Sequence, residues 1–318
     1  MRYSRQVLFE KIGSQGQERI SKANVLILGL GATGSNSAEL LARAGIGNLT
    51  LIDRDIIEES NLQRQTLFKE SDISLPKAFV AKKNLEEINS NIKIKAYFKD
   101  INDKNISEII KKPDLILDCC DNMQTRFLLD EYCYKNNIPW IYLGIIESTG
   151  MLFKIVPKKT PSFKDIFKEL SQPIDSCDIS GVLNTTASFG SSLQVTEALK
   201  HLTSQAPNKE LIFFDVWKSK IQNIKINHKP GVFESFPYLN GEKSNENIKL
   251  CGTGSYQLNG PKLNLKEVSD KLKKLGEVKL NEFCLIFKEL TIFEDGRVLI
   301  KADDEKRAKS LYAKYIGY

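Results

Sequence analysis

Val25-Leu26-Ile27-Leu28-Gly29-Leu30-Gly31-Ala32-Thr33-Gly34 decides the fold, together with the helical pattern from Ser37 to Arg43 and the run Leu49-Thr50-Leu51-Ile52-Asp53 that follows. The first four residues are a short apolar run that glycines interrupt, as expected of a buried strand ending in a turn. Strand, glycine loop, helix, strand and acid is the arrangement that lays a nucleotide across a doubly wound sheet. Glycines let the backbone approach phosphate, and a helix N-terminus offers free N–H groups. A carboxylate at the end of the second strand can accept from ribose hydroxyls. Gly29, Gly31, Gly34 and Asp53 are therefore candidate nucleotide contacts.

The segment after Asp53 argues against simple dinucleotide binding. A redox enzyme needs its pyrophosphate held by backbone, whereas breaking a nucleoside triphosphate brings an anion against an already negative phosphorus. Two unit charges about 4 Å apart interact by about 4 kcal/mol at an effective dielectric near 20. Positioned cations and a metal remove that repulsion. Arg64 lies in Asn61-Leu62-Gln63-Arg64-Gln65 and Lys77 in Pro76-Lys77, both after the second strand. A further buried strand, Leu115-Ile116-Leu117, ends in Asp118-Cys119-Cys120-Asp121-Asn122, which makes Asp121 a candidate Mg²⁺ ligand. Asp55, Asn61, Gln65 and Asn122 flank these groups and join the candidate nucleotide contacts. Each residue alone has a plainer reading: Arg64 a surface ion pair, Lys77 a solvated side chain, Asp121 a helix cap.

Arg2-Tyr3-Ser4-Arg5-Gln6, Gly29–Gly34, Asp53, Asn61–Gln65, Pro76-Lys77 and Asp121-Asn122, in that order, resemble the ThiF/MoeB/HesA family, bacterial relatives of ubiquitin-activating enzymes. The resemblance runs from Met1 to about Lys225, with further similarity in the tail to thiamine-type members of Gram-positive bacteria. It implies ATP- and Mg²⁺-dependent adenylation of the C-terminal glycine of a ubiquitin-like sulfur-carrier protein of the ThiS or MoaD type. It also implies that Asp53 binds ribose, that Arg64 and Lys77 bind phosphate, and that Asp121 is associated with the metal. Arg5 matches an arginine supplied by the neighbouring subunit of a homodimer. A cysteine desulfurase or sulfurtransferase is the further partner expected. Cys177, in Cys177-Asp178-Ile179-Ser180-Gly181-Val182, matches a cysteine that bonds to the carrier in thiamine-pathway members and is dispensable in molybdopterin-pathway ones. A catalytic thiol and a small buried hydrophobe both remain open for it.

The chain departs from the family in metal. Most members carry two Cys-x-x-Cys pairs for structural zinc, but the corresponding stretches here are Pro161-Ser162-Phe163-Lys164-Asp165 and Gly231-Val232-Phe233-Glu234-Ser235-Phe236. Only His201 and His228 could add imidazole, so no zinc site is expected. Zinc contributes on the order of 10 kcal/mol in small domains. Phe163, Ile166, Phe167, Phe233, Phe236 and Tyr238 are the expected apolar replacement. A second departure is Thr33, in place of leucine, which carries no assigned role.

Alternating patterns continue along the chain. Helices are expected near Ala78–Asn89, Lys104–Lys111 and Thr125–Tyr134, with strands near Ile92–Phe98 and Trp140–Leu143. This predicts a Rossmann-like α/β fold, a doubly wound and mainly parallel sheet with both faces covered. Gly150–Val156, Leu211–Trp217 and Ile221–Ile226 read as an antiparallel extension, with a crossover loop over 157–184 and a long helix from Thr185 to Leu202. The adenylation domain is placed at 1–245 and a small α+β domain at 246–318. The latter is read as a strand at Lys249–Leu258, a helix at Leu265–Leu275, a strand at Phe283–Phe287, a hairpin turning at Asp295-Gly296, and a helix at Asp303–Tyr315.

The chain has 318 residues, six cysteines without paired spacing and a net charge of +6. Reduced thiols, no secretory h-region and no membrane-length apolar run point to a cytoplasmic protein. Lysine runs such as Lys271–Lys274 are solvated faces, and base-reading motifs are missing, which argues against nucleic acid. Three alternatives stay in view: an NAD-dependent oxidoreductase, a branch that adenylates a peptide C-terminus or a modified tRNA base, and a non-catalytic binding module.

Overall fold

The computed structural model describes residues 2–167, 181–205, 210–226, 232–243, 248–250 and 255–317. Cys177 and residues 168–180 of the expected crossover loop lie outside these residues. The chain divides into two compact units, the second carrying residues from Ser244 to Tyr318.

In the first unit, strands β1 (Asn24–Leu28), β2 (Asn48–Asp53), β3 (Lys93–Phe98), β4 (Leu115–Asp118) and β5 (Trp140–Ile146) are followed by β6 (Thr149–Ile155), β7 (Glu210–Asp215) and β8 (Lys220–Lys225). They form one sheet in the order β3-β2-β1-β4-β5-β6-β7-β8. Pairings from β3 through β5 are parallel, and those from β5 through β8 are antiparallel. The chain leaves β1 toward β2 on one side and returns to β4 on the other. That reversal opens a crevice at the strands' C-terminal ends, where such folds bind ligands.

Helices α1 (Ser4–Val7), α2 (Gly13–Lys22), α3 (Ala32–Ala44), α4 (Lys77–Ile88), α5 (Ile106–Ile109), α6 (Met123–Asn136), α7 (Phe163–Phe167) and α8 (Asn184–Leu202) complete the unit. Val25, Ile27, Leu49, Leu51, Leu115 and Leu117 form its centre with Ala38, Leu41 and Ala198. Small residues on the helices allow α3 and α8 to approach the sheet closely. Between them Gln194 is fully buried and saturated: its Nε2 donates to the Asp118 and Ile141 carbonyls, and its Oε1 accepts from Ser37 Oγ and Cys119 Sγ. No described helix is long and apolar enough to cross a membrane.

The stretches that lack zinc ligands are joined by rings and carboxylates. Phe163 is fully buried, with ring centroids 5.3 Å from Phe127, 5.7 Å from Trp140, 5.2 Å from Tyr142 and 4.4 Å from Phe167. Tyr238 stacks on Phe127 at 5.1 Å, and Phe233 lies 4.5 Å from Tyr134 and stacks on Phe236 at 6.0 Å. Two adjacent carboxylates of α6 hold both stretches: Asp130 accepts from Lys164 N at 3.0 Å and Glu131 from Leu239 N at 2.8 Å.

The second unit holds β9 (Ile248–Leu250), β10 (Ser255–Asn259), β11 (Lys279–Leu280), β12 (Cys284–Phe287), β13 (Leu290–Phe293) and β14 (Arg297–Lys301), with α9 (Leu265–Leu272) and α10 (Glu305–Tyr315). Its antiparallel sheet runs β11-β12-β13-β14-β10-β9. The single strand expected over Lys249–Leu258 is instead two, β9 and β10, paired antiparallel. The β13–β14 hairpin turns at Asp295-Gly296, where Gly296 has φ of 92° and Asp295 Oδ1 accepts from Arg297 N. Its core is Leu285, Phe287, Leu290, Ile292, Val298 and Ile300.

Two tests follow from the aromatic and carboxylate ties. Phe163→Ala removes a buried ring from four aromatic contacts and is expected to cost about 3–5 kcal/mol in chemical denaturation. An unchanged denaturation midpoint would remove Phe163 from the set that joins these stretches. Burial raises the Asp130 carboxyl from 3.8 to about 7, against the hydrogen bonds from Lys164 and Phe163 backbone. The folded chain therefore holds this proton more tightly than the unfolded one. The resulting stability is complete below about pH 3.8 and is lost as pH rises through about 7. Asp130→Asn cannot ionise, so its melting temperature falls less steeply than the wild type's across that window.

Candidate functional site

The β1–α3 turn is built on close approach. Gly29 has φ of 91°, and a Cβ there would lie 2.5 Å from the Cys119 carbonyl oxygen. At Gly34 a Cβ would fall 1.9 Å from the Gly29 carbonyl oxygen. Helix α3 can therefore start directly against the strand ends only with glycine at both positions. Gly31 caps α3 with no side-chain acceptor, so the first-turn N–H groups are left for another partner. A Cβ on Gly31 would meet only Gln65 Nε2, at 3.9 Å, so the space above the turn is open. Thr33 is buried, and its backbone carbonyl accepts from Ser191 Oγ of α8.

Asp53 ends β2 and is buried beside this turn. Its Oδ2 accepts from Leu30 N at 2.5 Å and its Oδ1 from Asp55 N at 2.7 Å. A carboxylate has about four lone-pair sites, so it retains capacity for hydroxyl donors. Burial raises its pKa to about 6 even though Lys77 pulls it down. Lys77, the first residue of α4, is buried rather than solvated. Its N–H donates to the Asp55 carbonyl, and its Nζ to Asp55 Oδ2 at 3.2 Å. Burial alone would lower the ammonium, but Asp55, Asp53 and Asp121 outweigh it and hold the pKa above the ordinary lysine value.

Arg64 makes no surface ion pair among the described residues. Its Nη1 donates to the Ser60 carbonyl at 2.9 Å, and half-burial lowers its pKa. Asn36 on α3 reaches toward this segment, donating to the Ala32 carbonyl and accepting from Thr66 Oγ1. Asn61 is occupied locally, its Oδ1 accepting from Glu58 N at 3.1 Å. Gln65, 3% exposed, leaves Oε1 buried with no hydrogen-bond partner. An orphaned acceptor beside an open glycine turn is the mark of a site that a donor-bearing ligand completes.

Asp121 is 39% exposed at the side chain, beyond the end of β4. It is not the cap of α6. Asn122 is, its Oδ1 accepting from Thr125 N at 2.8 Å. The loop carrying Asp121 is braced from below: Arg126 Nε pairs with Asp118 Oδ2 at 3.0 Å, and Cys120 N donates to Asp118 Oδ1 at 2.9 Å. Cys119 and Cys120 are pushed up by burial, Cys119 to about 12, and so are inert packing residues.

The fold thus gathers Gly29, Gly31, Gly34, Asp53, Asp55, Gln65, Lys77 and Asp121 at one sheet end, with Arg64 on the adjoining turn. It does not bring Arg5 there. Gln6 Nε2 donates to the Ala44 carbonyl, which ties α1 to the far end of α3. Thirteen residues of helix, at ~1.5 Å each, separate that end from the glycine turn by ~20 Å. Arg54 is a site residue not read from the sequence. Its only signal was its place between Asp53 and Asp55.

The chain is similar to known proteins. The chain is 35% identical over 333 aligned positions to the sulfur carrier protein ThiS adenylyltransferase of Bacillus subtilis, an alignment covering 99% of each protein. It is 35% identical over 230 residues to the molybdopterin-synthase adenylyltransferase of Haemophilus influenzae, covering 71% of this chain and 94% of that one. The crystal structure of E. coli MccB with succinimide superposes with a TM-score of 0.65 at 26% identity, over 72% of this chain and 73% of that one. Residues 3–232 match the ThiF family, and the chain belongs to it.

Proposed function

We propose that this protein is an adenylyltransferase that activates the C-terminal glycine carboxylate of a ubiquitin-like sulfur-carrier protein with ATP. A carboxylate oxygen of the carrier attacks the α-phosphorus, the bond to the bridging oxygen breaks, and pyrophosphate leaves. The observation that carries this reading is Lys77, a buried ammonium held at the mouth of an open glycine turn beside Asp53 and Asp55. A site that only cradled a dinucleotide would have no use for a buried cation there. The family relationship supplies the class of reaction.

In this reading Asp53 accepts from the ribose hydroxyls, the α3 N-terminus and Gly31 face the phosphates, and the orphaned Gln65 acceptor finds a donor on the nucleotide. Arg64 and Lys77 bind the triphosphate as charge moves onto pyrophosphate. Asp121 suits Mg²⁺, a hard ion that uses one or two carboxylates and completes its shell with phosphate and water. Bound there, the ion would neutralise phosphate charge. The thiamine-type carrier is favoured over the molybdopterin type, because the alignment with the ThiS adenylyltransferase includes the second unit and covers 99% of both chains. A cysteine desulfurase or sulfurtransferase then supplies sulfur. Arg5 reaches a second copy's triphosphate across a twofold interface, which its distance from its own glycine turn supports.

Labelled pyrophosphate should exchange into ATP only when Mg²⁺ and a carrier ending in Gly-Gly are present, faster with a ThiS-type than a MoaD-type carrier. Arg64→Ala and Asp121→Ala should each lower exchange by about 100-fold or more, the scale of a lost charge-stabilising contact. Exchange with a free peptide and no carrier would favour a peptide substrate; NADH binding in place of ATP would overturn the proposal. A second experiment addresses the interface. Mixing inactive Arg5→Ala with inactive Arg64→Ala should restore part of the activity, since a mixed dimer contains one site with neither substitution. No recovery, with subunit exchange verified, would return Arg5 to its own chain.

A further inference from the structure

Arg126, one turn into α6, directs every nitrogen of its guanidinium at the protein itself. Nε pairs with Asp118 Oδ2 at 3.0 Å, Nη2 donates to the Cys120 carbonyl and to the Leu143 carbonyl of β5, and Nη1 lies 4.0 Å from Met123 Sδ. The Arg126 side chain is 12% exposed, and that of Asp118 is fully buried. The face of the guanidinium stands over the Tyr142 ring at 5.0 Å, and Tyr142 packs in turn against Phe163 and Phe167. Asp118 Oδ1 accepts from Cys120 N at 2.9 Å. Cys120 is thus gripped on both sides, its N–H by Asp118 and its C=O by Arg126, and the two grips are paired with each other.

The Cys120 carbonyl belongs to the peptide unit that joins Cys120 to Asp121. That unit is planar, so holding its oxygen against an already anchored Cys120 also fixes the Cα of Asp121. On the far side Asn122 is anchored as the cap of α6. Asp121 stands between two held neighbours, with its Oδ1 3.3 Å from Arg54 Nη2 and its side chain still 39% exposed. For stability alone a buried ion pair is often no better than apolar side chains of similar volume. What this pair adds is direction at one peptide unit. A lysine ammonium is a point charge and does not span a carboxylate and two carbonyls as the planar fork of arginine does.

We propose that Arg126 is a positioning residue for adenylation: it fixes the peptide unit that carries Asp121 and so sets where that carboxylate stands. It acts through Asp121 and not on the nucleotide. The inference rests on the adenylation reading above, in which Asp121 serves the triphosphate.

The test is a double-mutant cycle on the full chain, read by calorimetric binding of a nonhydrolysable ATP analogue with Mg²⁺ and by pyrophosphate exchange. Arg126→Lys should bind the analogue about tenfold more weakly than wild type and slow exchange by at least as much, the scale of one lost charge-assisted hydrogen bond. In an Asp121→Asn background the same change should weaken analogue binding by less than about twofold, because the route through Asp121 is already cut. A merely structural role would weaken both backgrounds equally. If Arg126→Lys does not fold, as judged by circular dichroism, Arg126→Met combined with Asp118→Asn replaces it, since both charges then leave together. Equal losses in the two backgrounds overturn the inference. So does a folded variant that binds and exchanges like wild type, or an Asp121→Asn chain that does, since Arg126 would then have nothing to position. In each of these cases carrier-dependent exchange by the wild type leaves the adenylation reading intact. A wild type that neither binds the analogue nor exchanges removes that reading and this inference with it.

Discussion

No atom larger than hydrogen fits between Gly34 and the Gly29 carbonyl, or between Gly29 and the Cys119 carbonyl. That steric constraint sets the rest of the nucleotide end. It brings the start of α3 against the ends of β1 and β4, so the free N–H groups of the helix and the Asp121 loop share one crevice. It also leaves a narrow layer beneath the turn, filled by polar groups that saturate one another: Gln194, Ser37, Cys119 and the Asp118 carbonyl. A buried network of this kind rigidifies only when every member is satisfied. Gln194 meets that condition with two donors and two acceptors engaged. Gln65, whose Nε2 lies 3.9 Å from where a Gly31 Cβ would stand, has a buried Oε1 without a hydrogen-bond partner among the described residues.

Charge is arranged in the same graded way. Lys77 and Arg54 are buried cations held by carboxylates, and neither is at liberty to move far. Arg64 is different: half-buried, tied among the described residues only to a backbone carbonyl, and carrying a pKa lowered by its partial desolvation. A cation without a carboxylate partner costs less to re-pair with phosphate, because no ion pair has to break first. Among the described residues the site therefore combines fixed cations, Lys77 and Arg54, with Arg64, which has no carboxylate partner to give up.

Much of this was legible in the sequence. Glycine spacing, the apolar runs of β1, β2 and β4, and acids at strand ends are local signals whose physical meaning is nearly independent of context. Arg54 and Asn36 were not legible, since their roles depend on partners 46 to 67 residues away in one case and 30 or more in the other. The N-terminal helices α1 and α2 carry glycine and polar residues that blur helical periodicity, and α7 lies within a segment whose Pro and Ser content reads as loop. Strand β11 has two exposed residues and no core pattern to betray it. Cys177 falls outside the described residues, so its two readings stand as they were.

The aromatic cluster shows how a fold can join the same segments by different chemistry. A tetrahedral metal would link the stretch near Phe163 to the stretch near Phe236 through directional bonds at one point. Here the link is distributed: stacked rings supply area without direction, and Asp130 and Glu131, adjacent on α6, supply direction by accepting backbone N–H groups from each stretch. The two parts need each other. Rings alone would let the stretches slide, because offset stacking tolerates many geometries. Carboxylates alone would be costly to bury, as the upward displacement of the Asp130 pKa records. Combined, the rings exclude water from the carboxylate–backbone bonds and the bonds fix where the rings sit.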